Sequence, residues 1–388
     1  MRVASMTGCS LLVSLTVLGT MAGCKTAALQ SSGLQDAAAD DGVSPTMQLW
    51  NAYVHAETDG KTLQPDCWPK IIKASGAAAV QGTVFFFHGF TACPQQYFAI
   101  GGLLANLGWD VYLPLMPGEG RMPFDGITGS KDNFYDLPGS NDHARYQQFV
   151  DTMNAIAKTT PGPHVIAGLS GGGSLAAGAV IFGNGLWDRA LLYAPYLKNA
   201  GLNGLISSVI EHFDPNYVDN WGPTCVSNRA RPNGRNGLCA VRIDAIRSMT
   251  DYGVMVSKRF NQITVPTQIT GVENDPTAND AKIVTAFKNL KTARLCFFKR
   301  GVPHSMINPA ADAPQLDPYW VPALQQASVG FITQGTWYPT DGVSNQKKQP
   351  LCSSAVEAES IPAASDPAAS DPTAAASDPQ PGPTNRAS

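Results

Sequence analysis

The 388 residues predict an α/β domain: a mainly parallel sheet flanked by helices and interrupted by an irregular insertion. Three observations carry this expectation. Short apolar runs alternate with amphipathic stretches through the middle of the chain. Several of those runs are apolar at every position rather than at alternate ones, as strands covered on both faces are. The links between them are short, which favours crossovers within one sheet.

The elements follow in order. Val84–Phe87 is a buried strand by its uniform apolarity, and Gln96 to Leu107 is helix-like. Val111–Leu113 is a strand stopped by Pro114. Asp142 to Lys158 has Phe149, Met153 and Ile156 at helical spacing. His164–Ala167 is the central strand and Gly173–Val180 opens the helix after it. Ala190–Tyr193 is the next strand. Residues from about 197 to 262 break the rhythm with Asn, Gly and Pro clusters and the aromatics Phe213, Tyr217 and Trp221. Alternation resumes with a strand at Thr267–Thr270, a helix at Ala281–Asn289, a last strand at Arg294–Phe298 and a closing helix near Tyr319–Ile332.

The termini read differently. Arg2 followed by the apolar Leu11–Leu18 is a secretory leader, too short to span a bilayer. It ends in Met21-Ala22-Gly23-Cys24, which resembles a bacterial lipobox with Met in place of leucine. The resemblance implies cleavage after residue 23, lipidation of Cys24, and residence in the bacterial cell envelope. Lys25, where an aspartate would retain such a protein, implies the outer membrane. Residues 24–45 are an Ala/Ser/Gly/Asp-rich tether. From residue 353 to 388 the chain is Ala/Pro/Ser/Asp with a repeated Ser-Asp-Pro, a composition that cannot bury enough apolar area to order itself. The folded domain is therefore expected over 46–352.

The net charge of −3 and the lack of a basic stretch argue against a nucleic-acid partner. Of the eight cysteines, six remain once Cys9 and Cys24 are set aside, and export makes disulfides the expectation. The turn-rich loop between Cys225 and Cys239 suggests that these two pair. Cys67–Cys93 and Cys296–Cys352 would then be left. No Cys or His spacing suggests zinc, and no cofactor is expected.

The chemistry centres on Gly168-Leu169-Ser170-Gly171-Gly172, a G-x-S-x-G pentapeptide between a strand and a helix. Glycines are needed there because the serine is held in a strained backbone conformation and flanking side chains would collide. The following helix aims its N-terminal amides at the site. With Phe87-His88-Gly89-Phe90-Thr91, Leu113-Pro114-Leu115-Met116-Pro117-Gly118-Glu119-Gly120, an aspartate after a late strand, and His304, the chain resembles the α/β hydrolases over roughly residues 80–335. The nearest branch is that of monoacylglycerol lipases and carboxylesterases, also described as serine aminopeptidase-like.

The resemblance implies a nucleophile, acid and base in that chain order. Only His212 and His304 follow Ser170. His304 comes just past the last strand and is the expected base; His143 reads as a helix-surface residue. Asp275 is the expected acid, one residue further from Gly271 than the common pattern, with Asp280 and Glu273 as alternatives. The oxyanion hole is expected from the amides of Phe90 and Gly171. Two departures stand out: Gly118-Glu119-Gly120 where the family often has Gly-His-Gly, and Gly171 where the branch often has Met. Residues 197–262 fall where this fold inserts a cap. The expected function is hydrolysis of small carboxylic esters or lipids through an acyl-enzyme on Ser170. A peptidase or amidase, or a non-enzymatic envelope binding protein, would be the alternatives.

Overall fold

The computed structural model describes residues 43–75, 79–121, 136–140, 142–198, 218–220, 238, 240–298, 302–308, 320–338 and 351–354. The expected leader, Cys24, the expected tether as far as residue 42, most of the insertion (with Cys225, Cys239 and His212) and the tail beyond 354 lie outside these residues; residues 44 and 45, expected in the tether, instead cap and begin the first helix.

The sheet has eight strands in the order β1-β3-β2-β4-β5-β8-β9-β10. They are β1 (Lys70–Ile72), β2 (Gly82–Phe87), β3 (Trp109–Leu113), β4 (His164–Leu169), β5 (Arg189–Tyr193), β8 (Thr267–Val272), β9 (Ala293–Phe298) and β10 (Leu351–Ser354). The six strands from β3 to β9 are parallel to one another. Antiparallel β1 and β10 form the two edges. A separate two-stranded ladder joins β6 (Val218–Asn220) to β7 (Ala240–Arg242). The α/β-hydrolase expectation of a mainly parallel sheet is met. Every residue of β2 and β8 is buried, which explains why the strands read as unbroken apolar runs.

Helices pack in two sets. α1 (Pro45–Thr58) lies against α3 (Ala144–Ala157), α3 against α4 (Gly171–Phe182), and α4 against α5 (Ile243–Ser257); α2 (Phe98–Asn106) packs with α7 (Val321–Gln334). α6 (Asp280–Phe287) joins β8 to β9. α1 starts where Ser44 accepts a hydrogen bond from the Met47 amide and Pro45 supplies a first-turn residue that needs no donor. Its Tyr53 hydroxyl donates to the Leu115 carbonyl and accepts from the Leu115 amide, both at 2.7 Å. That ties the helix to the loop after β3. The core stacks aromatic rings against the sheet, as in the Phe85–Tyr112 pair at 4.6 Å.

Two features depart from the sequence reading. The second part of the 197–262 insertion is ordered helix, α5, with Ile243, Ile246, Met249, Tyr252 and Val256 all buried. That spacing is helical, but it directly follows the Asn/Gly-rich stretch. The strand β10 extends to Ser354, two residues past the expected end of the domain.

The expected Cys67–Cys93 disulfide is present. It closes a loop of 26 residues, which in the loop-entropy account stabilises the fold by about 3.5 kcal/mol. Cys296 is also disulfide-bonded, and the ladder sets Cys352 directly opposite it.

Candidate active site

β4 ends at Leu169, and the chain reverses through Ser170 into α4. Ser170 has φ 56° and ψ −121°, a conformation that costs a non-glycine residue about 1–3 kcal/mol and persists only when its surroundings impose it. They do so here. The Ser170 amide donates to the Tyr193 carbonyl at 2.8 Å, and its own carbonyl accepts from Tyr196 at 2.9 Å and Ser174 at 3.1 Å. The hydroxyl makes no cap bond to the helix.

The flanking glycines are steric necessities. A Cβ on Gly172 would lie 2.2 Å from the Phe87 carbonyl oxygen, and one on Gly168 would lie 2.2 Å from that of Gly172. The elbow is thus pressed against the end of β2 with no room for a methyl group.

Asp275 and His304 come from neighbouring strand ends. Asp275 follows β8 and His304 follows β9. The His304 Nδ1–H donates to Asp275 Oδ2 at 2.7 Å. The other carboxylate oxygen accepts from the amides of Thr277 at 2.8 Å and Ala278 at 3.0 Å. The Asp275 side chain is fully buried. Burial alone would raise its pKa. The charge and hydrogen bond of His304, with the Thr277 and Ala278 amides, outweigh that and hold the carboxyl below the usual carboxylate value. A carboxylate on Nδ1 leaves Nε2 of the neutral ring as the proton acceptor. Among the expected acids, Asp275 takes this position; Asp280 bonds instead to the Asn274 amide.

β4, β5, β8 and β9 are adjacent and parallel. The Ser170 elbow, the Asp275 turn and the His304 turn all leave the carboxyl ends of these strands. They therefore share one edge of the sheet, the edge where open α/β sheets carry their ligands.

The loop after β2 lies against the elbow. The Cβ of Phe90 is 3.1 Å from where a Cβ on Gly171 would be. The loop is held by side chains from elsewhere. The Gly89 amide donates to Gln96 Oε1 at 2.8 Å, and the Thr91 amide to Glu119 Oε1 at 2.9 Å. Thr91 itself has φ 66°. Among the described residues, the amides of Phe90 and Gly171 have no hydrogen-bond acceptor.

His88 is a brace. Its Nδ1–H donates to the Gly89 carbonyl at 2.9 Å, while Nε2 accepts from the Met116 amide at 3.0 Å. Burial lowers its pKa to about 4, against a smaller upward pull from the Gly89 bond, so the ring is neutral at ordinary pH and both nitrogens are occupied. Gln96, Glu119 and His88 escaped the sequence reading as supports of this loop. Only the unusual Glu119 between two glycines signalled anything there.

Gly171 has a second neighbour. The Met249 sulfur and methyl carbon of α5 each lie 3.1 Å from where its Cβ would be. A methionine from another helix thus fills the space beside the residue where the related branch often has its own methionine. His143 is exposed at the start of α3, as expected of a surface residue.

A strained serine elbow on a six-strand parallel core, with a buried aspartate bonded to a half-buried histidine on the same edge, defines an α/β hydrolase. The chain matches the family described as serine aminopeptidase, S33, over residues 78–308, and it belongs to that family. The solved structures that share the fold include the following three. The monoacylglycerol lipase of Paleococcus ferrophilus has 16% identity, covers 69% of this chain and 99% of its own, and gives a TM-score of 0.52. A soluble variant of monoglyceride lipase from Saccharomyces cerevisiae, solved with a substrate analog, has 13% identity, 71% and 97% coverage, and a TM-score of 0.51. A structure from the metagenome-derived lipolytic enzymes LipS and LipT has 15% identity, 70% and 99% coverage, and a TM-score of 0.51. No curated protein sequence matches the chain.

Proposed function

We propose that the protein is a serine hydrolase that cleaves carboxylic esters of small or lipid substrates through an acyl-enzyme. Ser170 attacks the carbonyl carbon and His304 takes its proton at Nε2. Asp275 fixes the tautomer of His304 and stabilises its charged form. The amides of Phe90 and Gly171, with the N-terminus of α4 behind them, receive the negative charge that develops on the carbonyl oxygen. His304 then returns the proton to the leaving alcohol, and water resolves the acyl-enzyme by the same route.

The observation that carries this reading is the 2.7 Å Asp275–His304 bond on the sheet edge that bears the Ser170 elbow. The ester preference draws on the structural neighbours named as monoacylglycerol and monoglyceride lipases; the family's description as serine aminopeptidases makes amide cleavage the competing arm. Two measurements test both. A fluorophosphonate should label the wild-type chain and leave Ser170→Ala unlabelled; equal labelling of the two would remove the nucleophile. A short-chain p-nitrophenyl ester should turn over well above the matching anilide; the reverse preference would make the protein an amidase.

The proposed setting is the bacterial envelope, by a lipid on Cys24. Several acyl chains on one residue anchor firmly, since each buried CH₂ contributes roughly 0.8 kcal/mol. Mass spectrometry of the mature protein should find a lipidated cysteine as its first residue, and an unmodified N-terminus would remove the anchor.

A further inference from the structure

Asp280 is a second carboxylate beside the Asp275 turn, and it is not the partner of His304. It begins α6, yet the residue that caps this helix is Asn279, whose side chain accepts from the Lys282 amide at 2.9 Å. Asp280 Oδ2 points back and accepts from the Asn274 amide at 2.8 Å. Asn274 has φ 58°, a left-handed conformation that few side-chain-bearing residues adopt unaided. It is the residue directly before Asp275. The other Asp280 oxygen is buried and has no hydrogen-bond partner among the described residues.

We infer that Asp280 is a positioning residue for the reaction proposed above: its carboxylate clamps the Asn274–Asp275 turn by the backbone and so fixes Asp275 Oδ2 on His304. The inference rests on that reading of the site. The Asp275 oxygens are committed in two directions, to the Thr277 and Ala278 amides and to His304. A small rotation of the turn would therefore break one set of bonds or the other. The clamp restrains the backbone that carries both.

The charge of Asp280 makes the clamp sensitive to pH. Burial raises its pKa to about 7, with the Asn274 and Asp275 amides opposing the rise and the charges of Asp275 and Glu273 adding to it. Glu273 and Asp275 face it from the turn. Lys282 is on its own helix, and Lys198 approaches through a carbonyl that accepts the Asn279 amide at 3.2 Å. His304 lies across Asp275. Below about 7 the carboxyl is protonated and holds the turn as a neutral acceptor. Above it the hydrogen bond becomes charge-assisted, and the added negative charge favours the protonated form of His304.

The test compares Asp280→Asn and Asp280→Ala with wild type by steady-state hydrolysis of a short p-nitrophenyl ester from pH 5 to 9, and by NMR titration of the His304 ring. Asp280→Ala removes the acceptor and is expected to lower kcat about tenfold with KM within about twofold, the split that misaligned chemistry produces. Asp280→Asn keeps an acceptor for the Asn274 amide and should restore most of kcat. It should also move the His304 midpoint down by about half a unit, because a nearby negative charge is gone. The inference is overturned if Asp280→Ala keeps the kcat of wild type, or if Asp280→Asn loses as much kcat as Asp280→Ala. If Asp280→Ala does not fold, Asp280→Leu, which likewise offers the Asn274 amide no acceptor, takes its place. If wild type turns over no faster than Ser170→Ala, the ester-hydrolase reading has failed. The NMR titration then still tests the clamp, because both variants lose the charge and only Asp280→Ala loses the acceptor: a His304 midpoint in Asp280→Ala displaced from that in Asp280→Asn upholds the clamp, and equal midpoints remove it.

Discussion

Replacing Ser170 with alanine is expected to lower turnover of a short p-nitrophenyl ester by at least about 10³-fold, with the fold intact. The size follows from what the hydroxyl does. Without Oγ no acyl-enzyme forms, and only binding and the oxyanion amides remain to assist direct attack by water. The fold should survive because the structure holds position 170 by its backbone. Its amide and carbonyl make three bonds to Tyr193, Ser174 and Tyr196, and alanine retains all of them. Alanine tolerates the φ of 56° no better and little worse than serine, so thermal unfolding should change by only a few degrees. Steady-state kinetics and circular dichroism on the same preparation separate the two effects. Turnover unchanged by the substitution would refute Ser170 as the nucleophile. A lost activity accompanied by a collapsed melting temperature would say nothing about chemistry, and Ser170→Cys would then be used to restore a nucleophile in the same backbone.

Much of this site could be read from the chain because its determinants are local. The elbow has no room for a side chain at positions 168 and 172, and those restrictions are written within five consecutive letters. The uniformly apolar strands announce a sheet covered on both faces, and their order then brings distant turns to one edge. This is how Asp275 and His304, 29 residues apart, could be named together. The supports of the site are a different matter. Glu119 reaches Thr91 across 28 positions, and His88 reaches Met116 across 28. Such pairings follow from the packed arrangement of loops and leave no periodic trace. Helix α5 escaped for another reason. Its apolar positions are interleaved with Arg247, Ser248, Thr250 and Asp251 and directly follow the Asn/Gly-rich loop, so the turn signals outweighed the helical spacing. The same helix supplies Met249, whose sulfur and methyl carbon lie 3.1 Å from where a Cβ on Gly171 would be. Asp280 was legible only as one acid among several near β8. The resemblance named Asp275 as the acid, but the bond from the amide of a left-handed Asn274 to Asp280 leaves no mark in the order of residues.

Asp275→Asn is expected to cost about 10³- to 10⁴-fold in kcat, although it changes a single atom. The geometry explains why so small a change should matter. Asp275 Oδ1 is fixed by the amides of Thr277 and Ala278, which only an oxygen can accept. In the asparagine variant the amide oxygen must stay there, which leaves the NH₂ group facing His304 Nδ1. Two donors cannot meet, so the ring shifts its proton to Nε2 and presents an N–H toward Ser170 where a base is required. The same variant gives a stability signature with a defined sign. The Asp275 carboxyl is held below its unfolded value, so the stabilisation it confers is fully present above the ordinary carboxylate value of about 4 and is lost as pH falls through the folded-state value. The melting temperature of wild type should therefore exceed that of Asp275→Asn at pH 7, and the gap should narrow toward pH 3. A gap that stays constant over this range would mean that the charge of Asp275 does not stabilise the fold. Unchanged kcat at pH 7 would remove Asp275 from the proton relay.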